Sequence, residues 1–325
     1  MNFAAPVTLE TMNPPAGLDA PSVRSAVNGS TVYAAFTRWG TKTDITDVGS
    51  IYTGSQVVVT KSTNSGVSFS AGTTAATTTG YFSQMFEVST PLTLGQERTG
   101  SDIAIAVDPN NANRVVVAYG DVTGGKVGQL QLKVVESTDG GAHWTPNPKF
   151  TTAANVRSAL PALTILANGD VGLLYATYTP GGTNPDATGT LSQHLVTTTD
   201  DFATTTDSLL GTESNTTPTA AFDPYIGDFY DLTSVGDTFF GIFSASNDDN
   251  GNLLSGADYP SATFQRCHTG TERTASFTLC DNSGGTPDLS IDPFFFSFSP
   301  VPEPATVTLL GAALIGLATL RRRRR

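Results

Sequence analysis

The sequence predicts an all-β protein built from repeated sheets of three or four strands, the blades of a β-propeller, followed by one C-terminal transmembrane helix. Three observations lead there. The composition is turn-rich and β-prone, with 32 Gly, 18 Phe, abundant Thr and only 14% charged residues. A polar turn followed by an aromatic or β-branched strand recurs along the chain. The last 25 residues change character altogether, to "VPEPATVTLLGAALIGLATLRRRRR".

The recurring module reads "NGSTVYAAF", "NANRVVVAY", "ANGDVGLLYATY" and "VGDTFFGIFSAS", with its leading strand positions at Val32, Val115, Val171 and Thr238. Before each copy sits another strand-like run: "APSVRSAV", "SDIAIAVDP", "ALPALTIL" and "DFYDLTSV". After the first three comes a third strand that enters a Ser/Thr-Asp/Asn-Gly turn: "VVVTKSTNSGVSF", "LQLKVVESTDGGAHW" and "SQHLVTTTDDF". Sheets of this size, recurring at roughly 50-residue spacing, favour propeller blades over a single sandwich. Four blades are visible, near 21–70, 101–150, 158–205 and 226–280. "AGTTAATTTG" and the segment to Gly100 read as an insertion or a disguised hairpin. "IDPFFFSFSP" reads as a closing strand, on the expectation that a ring pairs strands from the two chain ends, with its Phe run in the core.

The turn "STDGGAHW" resembles the Asp-box of BNR/sialidase-type β-propellers, S-x-D-x-G-x-x-W, through Ser137, Asp139, Gly141 and Trp144. Its logic is local: the acid accepts backbone N–H groups, the glycine tolerates φ > 0, and the Trp packs back on the blade. "STNSGVSF" matches with Ser62, Asn64, Gly66 and Phe69, the amide standing for the acid and Phe for Trp. "TTDDF" (198–202) is a broken third copy. "DPYIGDFYDLTSVGDTFFGIFSASND" is similar to the Ile-Gly-Asp-aromatic stretch of secreted bacterial proteins with sialidase-like repeats. The resemblance implies a ring of about six blades. Fewer are visible, so sequence ahead of Met1 is expected to be missing.

Residues 1–302 hold 28 acids against 12 bases. Nucleic acid is therefore not an expected partner, because phosphate binding needs clustered Lys and Arg. A true sialidase would hold its substrate carboxylate with three arginines. Arg24, Arg98 and Arg157 each lie in or before a first strand, where a propeller channel would be lined. The enzymes' Phe-Arg-Ile-Pro signature is absent, since Arg24 is followed by Ser-Ala, and no Tyr/Glu pair stands out beyond Glu97 with Tyr225 or Tyr230. The residues favour a body that is not an enzyme. His143, His194 and His268 sit in separate segments and form no metal motif. "NDDNGN" (247–252) has the composition of a calcium loop, but Asp258 falls where a bidentate Glu belongs, so it reads as a solvated loop. No cofactor is expected, structural calcium there being the weak exception.

From Ala305 to Leu320 the tail has 16 uncharged residues, about 24 Å as a helix against a hydrocarbon core of about 30 Å. Snorkelling arginines make up the difference. Arg321, Arg322, Arg323, Arg324 and Arg325 place the C-terminus in the cytoplasm and everything before Pro302 outside. With Pro302, Glu303 and Pro304 ahead of the apolar run, the tail resembles the PEP-CTERM sorting signal of exported Gram-negative bacterial proteins. The resemblance implies a propeller domain over 1–300, a sorting domain over 301–325, and processing by a membrane-embedded exosortase in exopolysaccharide-producing cells. "MNFAAPVTLETMNPP" lacks the basic and apolar regions of a signal peptide, which again points to missing upstream sequence. Cys267 and Cys280 flank a Gly-containing turn and suit a stapled hairpin, with oxidation expected outside the cell. The expected function is that of an exported envelope or matrix protein offering a glycan- or protein-binding surface. The alternatives are an exo-acting glycosidase of the sialidase kind and a purely structural biofilm component.

Overall fold

The computed structural model describes residues 5–10, 22–45, 49–83, 102–123, 129–154, 156–180, 189–214, 230–246, 266–269, 276–279, 286–287 and 291–300. Every element among them is a β-strand, and they form five antiparallel sheets. The first contains β1 (Val23–Asn28), β2 (Thr31–Arg38), β3 (Thr41–Ile45), β4 (Gly49–Ser62) and β5 (Thr73–Ser83). The long β4 pairs with β2 and β3 along one edge and with β5 along the other. The second sheet is the meander β6 (Ile103–Asp108), β7 (Asn111–Thr123), β8 (Gln129–Ser137) and β9 (Phe150–Thr151). The third repeats it as β10 (Arg157–Ile165), β11 (Val171–Pro180), β12 (Gly189–Thr198) and β13 (Thr206–Ser214). The fourth opens with β14 (Asp231–Val235) and β15 (Thr238–Ser246). The chain then forms a small fifth sheet, β16 (Arg266–Thr269), β17 (Ser276–Leu279) and β18 (Thr286–Pro287). It returns as β19 (Ile291–Phe298) to pair with β15.

The core lies between neighbouring sheets, because the inner strands alternate their side chains between two covered faces. Tyr33, Ala35, Val57 and Val59 of the first sheet meet Ile103, Ile105, Val115, Val117 and Val135 of the second. Val116, Leu132 and Val134, on the second sheet's other face, meet Leu163, Leu173, Tyr175 and Val196 of the third. Leu174 and Leu195 then meet Phe239, Phe243 and Phe294 of the fourth. The near-continuous Val and Ala runs of β6 and β7 follow from this, since both of their faces are covered.

One expectation is decided and two are corrected. The threonine-rich run is not an insertion; of the two readings it is the disguised hairpin, formed with β4, while the segment 84–100 lies outside the described residues. The run is β5, the outer strand of the first sheet, where β-branched threonines suit a strand and Ala75 and Thr78 are buried. The fourth repeat does not run continuously over 226–280, because its third strand is β19, brought back from beyond the fifth sheet. And β19 pairs with β15 over Phe239–Ser246 rather than with a strand from the other chain end. Its phenylalanines set that choice: Phe294 and Phe296 pack on Phe243, and Phe298 stacks on Phe239.

The tight turns joining the first two strands of each sheet are stitched in series. The Asn28 side-chain amide donates to the carbonyls of Asp108 (2.7 Å) and Pro109 (3.0 Å). The Asn110 amide donates to Ala167 O at 2.5 Å, and Ala167 N–H donates to Gly236 O at 3.1 Å. Four sheets are thus tied at one end, the end where the Asp-box-like turns also lie.

Candidate functional site

Three hairpin turns at the stitched end share one wiring. In the second sheet, Ser137 Oγ donates to Asp139 Oδ1 (2.8 Å) and accepts the N–H of Gly141 (2.8 Å). Asp139 Oδ1 also accepts the N–H of His143 (2.9 Å), and Oδ2 lies 2.6 Å from its ring Nδ1. In the first sheet Ser62, Asn64, Gly66 and Ser68 repeat the circuit at 2.8, 2.9 and 3.0 Å. In the third, Thr198, Asp200, Phe202 and Thr204 repeat it at 3.0, 2.9 and 2.8 Å. The third turn was unrecognised as intact in sequence because Phe202 stands where a glycine is expected, with φ +66°. The signal that does survive is Thr/Ser, then Asp/Asn two residues on, then a hydrogen-bonding residue four further. Trp144 packs against the core and donates to Gly141 O at 3.2 Å, while Phe69 is half-buried.

The electrostatics follow from the circuits. The His143 N–H, the His143 ring and Ser137 hold the Asp139 carboxyl well below the usual carboxylate range. The N–H and hydroxyl of Thr204 lower the Asp200 pKa.

The third turn is joined to the second sheet by a charge cluster. Arg114 on β7 donates to Glu136 (2.8 Å), Asp108 (3.2 Å), Gly169 O (2.8 Å) and Asp201. Lys149 also pairs with Glu136. Burial opposes the guanidinium charge, but the bonds to Glu136 and Asp108 outweigh it and raise the Arg114 pKa.

The opposite end of the sheets carries different chemistry. Asp121, at the far end of β7, accepts Thr78 Oγ1 and Thr79 N–H, each at 2.8 Å, and pairs with Lys133. It ties the second sheet to the first. Burial, aided by Asp121, pushes the Tyr119 hydroxyl up to about 12. Arg157 opens β10, is 8% exposed, and sets its guanidinium 5.3 Å from the centre of the Tyr178 ring. A bulge makes this possible. Between Ala159 and Ala162 the register with β11 shifts, with Leu160 at φ +57° immediately before Pro161. The extra residue turns Arg157 to the face it shares with Ala162, toward the fourth sheet. A buried non-glycine residue held in the left-handed region beside an arginine is the kind of strain that marks functional sites.

Arg24 lies in β1 opposite Ala35, is exposed, and donates to the carbonyl of its neighbour Val23 at 2.9 Å. It therefore lies toward the groove between the first and second sheets, whereas Arg157 lies toward the fourth. Arg98 is outside the described residues, as are Glu97, Tyr225 and the 247–252 segment. Among the described residues, no group of three or more His, Cys, Asp or Glu is placed to hold a metal ion.

Sequence reasoning did not find one further constellation. His194 Nδ1 lies 3.0 Å from Asp207 Oδ1, its Nε2 lies 3.2 Å from Thr177 Oγ1, and its ring stacks on Tyr175 with centroids 5.2 Å apart. Burial, then the Asp207 carboxylate, raise the Tyr175 pKa. The order hydroxyl, imidazole, carboxylate is that of an activated nucleophile. Thr177 itself is only 7% exposed. The cluster is a polar ladder across β11, β12 and β13, and only strand register brings its members together.

Cys267 lies in β16 opposite Thr278, and β17 ends at Leu279, one residue before Cys280, which is outside the described residues. Among the described residues no helix is long and apolar enough to cross a membrane, and residues 301–325 lie beyond them.

Residues 300–325 match the PEP-CTERM protein-sorting motif, with Pro302, Glu303 and Pro304 inside the match. The motif implies export and processing by exosortase, a membrane enzyme. Among curated proteins, none matches the chain significantly. Among solved structures, the chain is similar to the Penicillium chrysogenum alpha-L-arabinanase complexed with arabinobiose, at 13% identity and TM-score 0.39, covering 68% of this chain and 57% of that one. It is similar to the Hadza microbial sialidase Hz136 at 13% identity and TM-score 0.39, covering 69% and 41%. A protein of unknown function from Dyadobacter fermentans gives 13% identity and TM-score 0.42, covering 82% and 65%. The chain spans less than two thirds of the length of each.

Proposed function

We propose that the chain is an exported cell-envelope or matrix protein whose propeller-type body presents a binding surface for glycan or protein. The sorting motif over 300–325, starting two residues after β19 ends, is the observation that carries this. In this reading residues 305–320 span the inner membrane as a helix, Arg321–Arg325 stay in the cytoplasm, and exosortase acts near Pro302–Pro304. The first four sheets are consecutive blades of a larger ring of about six, and Cys267 and Cys280 form a disulfide outside the cell. The surface offered is the end opposite the stitched turns, beneath which Arg157 and Tyr178 lie buried with the guanidinium over the ring.

The test is a reporter fused ahead of Pro302 in a host that has exosortase. Activity outside the cytoplasm, with tail processing lost in Pro302→Ala and Glu303→Ala, supports the reading. A cytosolic reporter ends it.

The glycosidase alternative requires Arg24, Arg98 and Arg157 to meet at one pocket. Turnover of a fluorogenic sialoside that is lost in Arg157→Ala would favour it, and no turnover by the processed protein would remove it. No cofactor enters either reading.

A further inference from the structure

The end from which the tail leaves decides which way the body faces while it is tethered. β19 runs antiparallel to β15 and finishes with Phe298 opposite Phe239, beside the turn at Gly236. Ser299 continues that contact through its hydroxyl, 2.8 Å from that of Thr238. The described chain therefore stops at the stitched end, not at the end that carries Arg157 and Tyr178. Pro300 is five residues from Ala305, where the uncharged run begins, a covalent reach of at most about 18 Å. The other end of the fourth sheet lies a full strand away: β15 has 9 residues, or about 30 Å. A tether shorter than the strand cannot bring the far end to the bilayer while the stitched end stands a full strand away from it.

We infer that, while the tail is in the membrane, the stitched end with its three Asp-box-like turns rests against the phospholipid surface, and the Arg157–Tyr178 end points away from it. This rests on the membrane reading of the tail above. The contact surface is the tip of the fourth sheet, where Val235, next to the exit point, is 70% exposed. An apolar side chain there suits the headgroup boundary. Charge does not drive the contact: Asp139, Asp200 and Asp237 are exposed at or beside this end and would repel anionic lipid. Orientation comes from the length of the tether, so it holds on neutral lipid.

The experiment uses the full chain inserted in phosphatidylcholine vesicles containing lipid with a spin-labelled headgroup. A fluorescent amino acid is placed, one position at a time, at exposed Thr138 or Asp237 on the stitched end and at exposed Thr179 or Thr190 on the other. Quenching at least threefold stronger at Thr138 and Asp237 is expected. Equal quenching, or stronger quenching at Thr179 and Thr190, overturns the inference. A label at Leu310 with acyl-chain quenchers separates the two claims. If it is not quenched, the membrane reading falls and this inference with it. If it is quenched while the two ends report equally, only the orientation falls. A twenty-residue Gly-Ser insertion after Pro300 is expected to abolish the difference between the ends. Its persistence would sink the tether as the cause.

Discussion

The three Asp-box-like turns show how much of a local structure rests on single positions. Gly141 sits at φ +87°, where a Cβ would meet Trp144 and Tyr33 only at ordinary contact distance, so the cost of a side chain there is conformational. Gly141→Ala is expected to destabilise the protein by about 1–2 kcal/mol, read as a lower urea midpoint at unchanged slope. The equivalent Phe202 accepts the same strain because its ring packs against Phe150 at 5.9 Å. Asp139 gives a second prediction. Its folded pKa lies below the free value, so its contribution is fully present above about pH 4 and is lost as pH falls through that value toward the folded one. Asn64 accepts the same bonds in the first sheet, so Asp139→Asn should keep a near-native urea midpoint at pH 7. Between pH 5 and 3 it should lose less stability than the parent chain. An equal loss would show that the turn's carboxylate is not what acid attacks. These turns were legible in sequence where a glycine marked them. The third was not, since tertiary packing on Phe150 replaced the local signal.

Between elements, the joints are polar while the faces are apolar. Arg114 touches two sheets and satisfies Glu136, whose side chain is 3% exposed, and Asp108 at 10%. Arg114→Met leaves those carboxylates short of a cation in a place water hardly reaches, with only Lys149 still on Glu136. A loss of about 3 kcal/mol is expected by urea denaturation. Arg114→Lys, which keeps the charge but not the fork, should fall between the two. A loss below about 1 kcal/mol would mean that the sheets are held by their apolar clusters alone. The strands of each meander were readable because hydrophobic alternation and turn residues are local. β5 was not, because a threonine-rich strand and a solvated loop have similar composition, and only the burial of Ala75 and Thr78 against neighbouring chain separates them. The Thr177–His194–Asp207 ladder was invisible for a related reason: its members share no spacing, only a register.

For the molecule as a whole, the boundary that matters lies between β19 and the sorting motif, and it is narrow. The alternation of β19 was legible as a strand, but its partner was not, because a return across the fifth sheet leaves no mark on the sequence. The Phe294 and Phe296 rings lie against Phe243, with Phe294 itself 9% exposed, and Phe298 covers Phe239. A fully buried ring contributes roughly 1.5–3 kcal/mol and the half-buried Phe296 and Phe298 less each, so β19 supplies on the order of 5 kcal/mol, comparable to the whole stability of many domains. A chain ending at Ser299 should therefore unfold at the midpoint of the full-length protein, since among the described residues these contacts run only as far as Ser299. A chain ending at Ser290 should lose cooperative unfolding of the fourth sheet, seen by circular dichroism as a separate early transition or as a steep drop in midpoint. If the Ser290 chain unfolds like the full-length one, β19 is an accessory strand and the body is complete without it. If the Ser299 chain is the weaker of the two, the tail supports the fold. Removal of the tail at Pro302–Pro304 would then release a damaged body instead of a finished one.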